Sequence, residues 1–370
     1  MDNPHFEISK KKKTEIAILI TLVILYFVVD FTNIVYLNPM YLTVFLVSIG
    51  VILALRSSEF AVEGIEDLAD KAKVSNYVGG VISSLASNTP EIVIALMAAL
   101  RGFTEFAVIV AVTAAAFNAI LLGIVIIIGS LRKGYVNVPE ELVKVETPVM
   151  RATVAMLGIV VFVGILEAIF KENTIAVIPH DVSFLLVVTY IAYLIFLLKY
   201  KRELTKEEIR QYEEDAKRVC VKKMILFLIF GFFGIFIAGE MLSQGIEIAV
   251  HQFGVSEITL ALLIGAAGAI PEHSIALVGT LKSKTEGLEL GIGNLMAGVM
   301  QSYLVVVGIV GALVSIVLDE FIVFELLAGA ALIWMVKSSI TDDRKLDMYE
   351  GVMIIITQIF ALTIIMETIM

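Results

Sequence analysis

Two glutamates, each directly after a proline, lie within stretches otherwise too apolar to carry a charge. Ser83-Ser84-Leu85-Ala86-Ser87-Asn88-Thr89-Pro90-Glu91 is one, and Gly265-Ala266-Ala267-Gly268-Ala269-Ile270-Pro271-Glu272 is the other. Proline removes a backbone donor and crowds the preceding turn, so a helix is predicted to break at each site and free carbonyl oxygens. The glycines and alanines of the second stretch permit close helix approach. A carboxylate inside a bilayer costs at least about 2.5 kcal/mol, so two at matching places imply a shared task. Two carboxylates, freed carbonyls and nearby side-chain oxygens suit a hard divalent cation. Ca²⁺ accepts about six to eight oxygens in flexible geometry, whereas Mg²⁺ demands a tight octahedron. Soft metals are disfavoured, since only His273 offers a nitrogen and no thiolate is near. Without the cation, two close carboxylates repel and take up protons more readily than in water. One site can therefore hold either Ca²⁺ or protons.

The elements that must position these acids follow from composition. The 370 residues are 59% hydrophobic and 17% charged, and the mean hydropathy is +0.95. A soluble domain of this length needs a more polar exterior. Apolar runs long enough to cross about 30 Å of hydrocarbon as helices recur along the chain. The runs are continuous rather than alternating, which excludes a transmembrane β-barrel. About eleven spans are expected, at 14–36, 41–70, 77–101, 104–131, 149–170, 181–199, 222–251, 257–281, 286–314, 319–337 and 348–369. The first follows Lys10–Lys13 and reads as a retained helix, being too long for a signal h-region. With a cytoplasmic N-terminus, all basic residues except Arg56, Arg101 and Lys171 fall on the inside, as the positive-inside rule requires. The short loops point to a prokaryotic plasma membrane. The formal charge of −10 gives no field for nucleic acid, and the single cysteine, Cys220, excludes intrachain disulfides and thiolate clusters.

Shifting the chain by 181 residues aligns it with itself. Glu59 meets Glu240, Gly64-Ile65-Glu66 meets Gly245-Ile246-Glu247, Val74-Ser75 meets Val255-Ser256, and Pro90-Glu91 meets Pro271-Glu272. Thr104-Glu105 then meets Thr285-Glu286, with no gap across the match. Shared apolar bias would match Ala, Leu and Ile, but not aligned acids, prolines and glycines. In the expected topology the helix carrying Glu91 runs outward and its counterpart runs inward, so the halves are inverted. Inverted repeats characterise secondary transporters that bind their substrate at the repeat interface.

These residues resemble the calcium/cation antiporter superfamily, whose two repeats each centre on small residues followed by Glu. Asn88, three residues before Glu91, and the pair Glu272-His273 resemble the cation/proton exchanger branch, as do the extra N-terminal helix and the charged linker. The resemblance implies Glu91 and Glu272 as the acidic cation ligands and Asn118 as the amide of the partner helix. At the same spacing after Glu272 stands Val299, with Asn294, Gln301 and Ser302 nearby; Gln301 would need a helical register shift to serve. Ala269 stands where that branch has a second Asn, and Ala114 and Leu295 where sodium-coupled relatives carry hydroxyls.

The expected fold is an all-α polytopic membrane protein of about eleven helices. Residues 1–40 hold the cytoplasmic N-terminus and extra helix, 41–199 the first five-helix repeat, 200–221 a charged cytoplasmic linker and 222–370 the second repeat. The expected cation set is Glu91, Glu272, Asn118, Asn88, Ser87, Gln301 and Gly268. His273 is a candidate proton shuttle or a partner that orients Glu272, with an unperturbed pKa near neutrality. Glu59 and Glu240 are candidates for the ion pathway, with pairing or a water-facing position as the milder reading. His180 and His251 read as surface residues of outer loops. No cofactor is expected; the ligands are transported Ca²⁺ with H⁺ or Na⁺ as coupling ion. The partners are membrane lipid and those ions, and nothing indicates an oligomer. The rival readings are Na⁺/Ca²⁺, Na⁺/H⁺ or Mn²⁺/H⁺ exchange and, in another class, a passive cation channel. An enzyme is disfavoured, since HExxH and GxSxG motifs are lacking.

Overall fold

The computed structural model describes residues 9–31, 38–73, 76–138, 140–170, 176–199, 213–214, 216–269 and 285–369. The helices in chain order are α1 (Lys10–Phe31), α2 (Pro39–Ala72), α3 (Asn76–Ser87), α4 (Thr89–Leu100), α5 (Thr104–Lys133), α6 (Glu140–Phe170) and α7 (His180–Lys199). Then follow α8 (Val221–Phe253), α9 (Glu257–Gly268), α10 (Thr285–Gln301), a π-helical stretch (Ser302–Val307), α11 (Gly308–Leu313), α12 (Glu320–Asp342) and α13 (Met348–Ile369). Eight helices are long and apolar enough to cross a membrane, or up to nine if the bent α3–α4 pair is one span. Two shorter apolar helices, Glu257–Gly268 and Met348–Ile364, accompany them among the described residues. The chain is an integral membrane protein, and this count covers the described residues only.

Local chemistry explains most ends. Asn38 caps α2 by accepting from Met40 N at 3.0 Å, ahead of Pro39 in the first turn. Gly134 and Gly254 close α5 and α8 at φ +82° and +63°, a conformation costly for other residues. One boundary departs from expectation. α6 begins at Glu140, not at 149, and runs through Pro148. The proline forfeits one backbone bond, but Val145, Glu146, Thr147, Val149 and Met150 are all buried, and that packing carries the helix across it.

Burial sorts centre from periphery. Of the apolar stretch in Gly291–Leu313, 89% is buried, and 72% in Thr104–Leu131, against 11% in Lys10–Phe31. α5 and α10–α11 therefore form the middle, while α1 lies on the outside of α2 and α8. Leu19 and Tyr26 of α1 join Leu46, Leu53, Phe60 and Phe227 in one apolar cluster. The linker meets the end of α2, where Lys71 Nζ donates to Ala216 O at 3.4 Å and Lys73 lies 3.9 Å from Glu213.

Contacts between the halves come in exchanged pairs. A methyl at Gly50 would meet Leu242 Cγ at 2.7 Å, and one at Gly231 would meet Ala61 N at 2.5 Å. A methyl at Gly64 would meet Leu228 Cγ at 2.9 Å, and one at Gly245 would meet Val47 Cγ2 at 2.8 Å. The repeat offset of 181 residues turns each contact into its twin with the two halves swapped. The long helices α2 and α8 thus cross with backbones close enough that only small residues fit. Two short antiparallel strand pairs also join the halves. Tyr135–Asn137 (β1) pairs with Lys345–Asp347 (β4), and Val177–Ile178 (β2) pairs with Ile316–Val317 (β3). Sequence periodicity did not reveal strands this short.

In a Cys220→Ser background, the pairs V47C/G245C and G64C/L228C should both cross-link on oxidation, each bringing Cβ atoms to within about 4.5 Å. Gel mobility would report it. One pair closing while the other stays open would contradict the exchange relation.

Candidate cation site

α3 and α4 meet at a 41° bend. Asn88 sits at the joint, its N–H bonded to Ser84 O at 3.0 Å and its carbonyl accepting from Ile92 N at 3.1 Å. Pro90 has no N–H to give to the carbonyl four residues back, so the ladder is interrupted there, as expected. Glu91 falls in the first turn of α4, where a carboxylate gains from the helix dipole. Its side chain is 1% exposed, as is that of Asn88.

Three other elements converge on this joint. Gln301, at the end of α10, is fully buried, and its Oε1 accepts from Asn88 Nδ2 at 2.5 Å. Ser84 Oγ lies 3.3 Å from the same oxygen and 3.2 Å from Asn294 O. Gln301 Nε2 donates to Tyr190 OH on α7 at 2.8 Å. From the second half, the end of α9 presses on Glu91, since a Cβ on Gly268 would lie 2.9 Å from Glu91 Cγ and 3.3 Å from Oε1. One contact has a twin here too: Ser84 meets Asn294, and a Cβ on Gly265 would meet Thr113 Cβ at 2.9 Å, the same positions with halves exchanged.

Glu91, Asn88, Gln301 and Gly268 are thus brought together, and Ser87 is buried beside them with its Oγ donating to Ser84 O at 2.9 Å. Asn118 is fully buried on α5, and neither amide atom has a hydrogen bond among the described residues. Glu272 and His273 lie outside the described residues. Val299 is buried in the apolar core, so the amide that reaches the site is Gln301. The helix widens into its π-helical stretch directly after this residue, a local change of register of the kind that gathers at functional positions.

The outer acids are paired rather than aimed at Glu91. Glu59 lies 3.0 Å from Arg56, half-exposed on α2. Glu240 and Glu247 of α8 both bind Arg101, at the end of α4, at 2.5 Å each, and Gln244 donates to Glu240 at 2.9 Å. Glu59 and Glu240, the expected pathway candidates, thus both stand in ion pairs in this arrangement. His180 Nδ1 lies 2.8 Å from Gly311 O, joining α7 to α11, and the His251 ring packs 5.6 Å from that of Phe103.

Three buried polar residues escaped sequence reading. Tyr190 sits in an apolar helix with nothing to mark it. Glu146, 0% exposed, accepts from Tyr193 OH at 2.5 Å. The expected span begins at 149, which leaves Glu146 outside it, whereas α6 begins at Glu140. Glu325 of α12 is 2% exposed, close to the buried Tyr303, whose ring lies where a Cβ on Gly329 would go.

Gly268→Ala should displace the Glu91 side chain and raise the half-saturating cation concentration at least about tenfold, a cost of about 1.4 kcal/mol. Equilibrium binding of ⁴⁵Ca²⁺ to purified protein would show it, with thermal stability as the control for folding.

Residues 40–199 and 223–367 match the family described as sodium/calcium exchanger protein. A Ca(2+)/H(+) antiporter from Aphanothece halophytica is 24% identical over 320 residues, covering 81% of this chain and 84% of that protein. The crystal structure of the H+/Ca2+ exchanger CAX aligns with a TM-score of 0.68 at 15% identity, over 96% of this chain and 89% of that one. The sodium-calcium exchanger NCX_Mj aligns with a TM-score of 0.54 at 18% identity, over 87% of this chain and 98% of that one. At such identities the structural likeness speaks to the fold alone.

Proposed function

The chain belongs to the sodium/calcium exchanger protein family, and from that premise we propose that it is a secondary antiporter exporting Ca²⁺ from the cytoplasm in exchange for H⁺. The observation that carries this reading is Glu91, buried at a helix break and pressed by the end of α9, three residues after the Asn88 that Gln301 binds. A carboxylate at this depth is costly as a bare charge and is favoured by a bound cation, a proton or both in turn. The repeat register assigns Glu272 as its counterpart. With two acids in one site, removing Ca²⁺ leaves like charges that favour protonation, and returning Ca²⁺ drives the protons off. Competition for one site is the thermodynamic basis of exchange.

Two positions of the repeat favour protons over Na⁺. Ala114 and Leu295, where a sodium-coupled site would place hydroxyls, are fully buried and offer no side-chain oxygen. The name of the Aphanothece halophytica antiporter agrees with this choice. In the proposed cycle, α2 and α8 move as a pair against the helices holding the site and expose it to one face of the membrane at a time. The small-residue crossing between α2 and α8 keeps them together while they move.

Reconstituted into vesicles with an acidic lumen, the protein should take up ⁴⁵Ca²⁺ as protons leave, and Glu91→Gln should reduce uptake to the level of protein-free vesicles. Uptake driven by an imposed Na⁺ gradient alone would transfer the coupling to Na⁺. Flux that ignores both gradients would indicate a passive channel and remove the exchange reading.

A further inference from the structure

The amides of Gln301 and Asn88 can each be turned two ways, and only one leaves oxygen where a cation needs it. Gln301 gives its Nε2 to Tyr190 OH at 2.8 Å, so its Oε1 faces Asn88. Asn88 in turn gives its Nδ2 to that oxygen at 2.5 Å. The order of donors and acceptors therefore runs one way along the row. It ends on Asn88 Oδ1, a buried oxygen with no hydrogen bond among the described residues, three positions before Glu91. If the row ran the other way, the last atom would be an amide nitrogen, which only donates and repels a cation.

We propose that Tyr190 is a positioning residue whose hydroxyl, by accepting from Gln301 Nε2, holds this row in its direction, so that the Asn88 amide oxygen and not a nitrogen is offered to the cation beside Glu91. The proposal rests on the reading of Glu91 and its neighbours as a cation site. Tyr190 is well placed for the task. It is 3% exposed, and its ring packs 5.7 Å from that of Tyr193. Tyr193 is tied by its hydroxyl to the buried Glu146 at 2.5 Å. The tyrosine pair and Glu146 thus form a second layer behind Gln301, contributed by α6 and α7. Removing the Tyr190 hydroxyl lets Gln301 turn over, and Asn88 follows, because an amide oxygen cannot face an amide oxygen without loss of the bond.

The test is a double-mutant cycle on purified full-length protein, with ⁴⁵Ca²⁺ binding and vesicle transport read in parallel. Tyr190→Phe should raise the half-saturating Ca²⁺ concentration about tenfold while leaving maximal transport within about twofold. The direction of the row has no meaning once residue 301 carries two equivalent oxygens. In a Gln301→Glu background, Tyr190→Phe should therefore change affinity less than about twofold. A purely structural role for Tyr190 would cost the same in both backgrounds and lower the melting temperature, and that result would overturn the proposal. So would unchanged affinity in the single variant. If Tyr190→Phe fails to fold, Tyr193→Phe, which loosens the same stack from behind, should show a smaller affinity loss in the Gln301 protein and none in the Gln301→Glu protein. Equal losses in the two would overturn it. Failure of the wild-type protein to bind Ca²⁺ would instead remove the underlying site, a result distinct from all of these.

Discussion

A carboxylate kept from water inside a bilayer is the constraint on which the other features depend. Glu91 is 1% exposed, so something other than bulk water must meet its charge. Pro90 interrupts the helix so that backbone dipoles converge near it, and Asn88 occupies the joint. The second half contributes the amide of Gln301 and, at Gly268, a residue with no side chain to compete for the space. Each of these is a local rule broken, and the broken rules gather at one place. A proline within a span, a polar residue at a helix joint and a π-helical stretch after Gln301 would each weaken an ordinary bundle.

The same logic explains what could be read in the sequence. Glu91, Asn88 and Gly268 announce themselves because they depart from the apolar background of their own segment. The repeat adds a second copy in which the departures recur. Continuous apolar runs likewise foretold most helix limits to within a few residues. Tyr190 and Glu146 could not be found this way. Tyr190 meets its partner Gln301 across 111 positions, and Glu146 meets Tyr193 across 47. No periodicity within one segment encodes contacts of that span. Glu146 also lies just before Pro148, which is inside α6 and held there by buried neighbours. Gln301 is intermediate: its type and region were legible, while the change of helical winding that accompanies it was not.

Duplication also accounts for how two long helices can lie against each other throughout their length. Gly50 and Gly64 on α2, and Gly231 and Gly245 on α8, open matching grooves in each partner. Because the halves are exchanged, every groove in one is filled by the equivalent residue of the other. A packing solution found once in an ancestral unit was thereby used twice. The two copies have since diverged at the site itself, where Asn118 has Val299 as its counterpart in register and the amide role in the second half lies with Gln301.

Arg101 has an electrostatic consequence of its own. One guanidinium is shared between Glu240 and Glu247, so the three groups together retain one negative charge at the end of the seam between α4 and α8. All three are partly exposed, and the field they leave reaches about 8 Å into physiological saline before counter-ions mask it. The fastening that ties these helices therefore also gathers positive ions around its own rim, most strongly in dilute solution and hardly at all in brine.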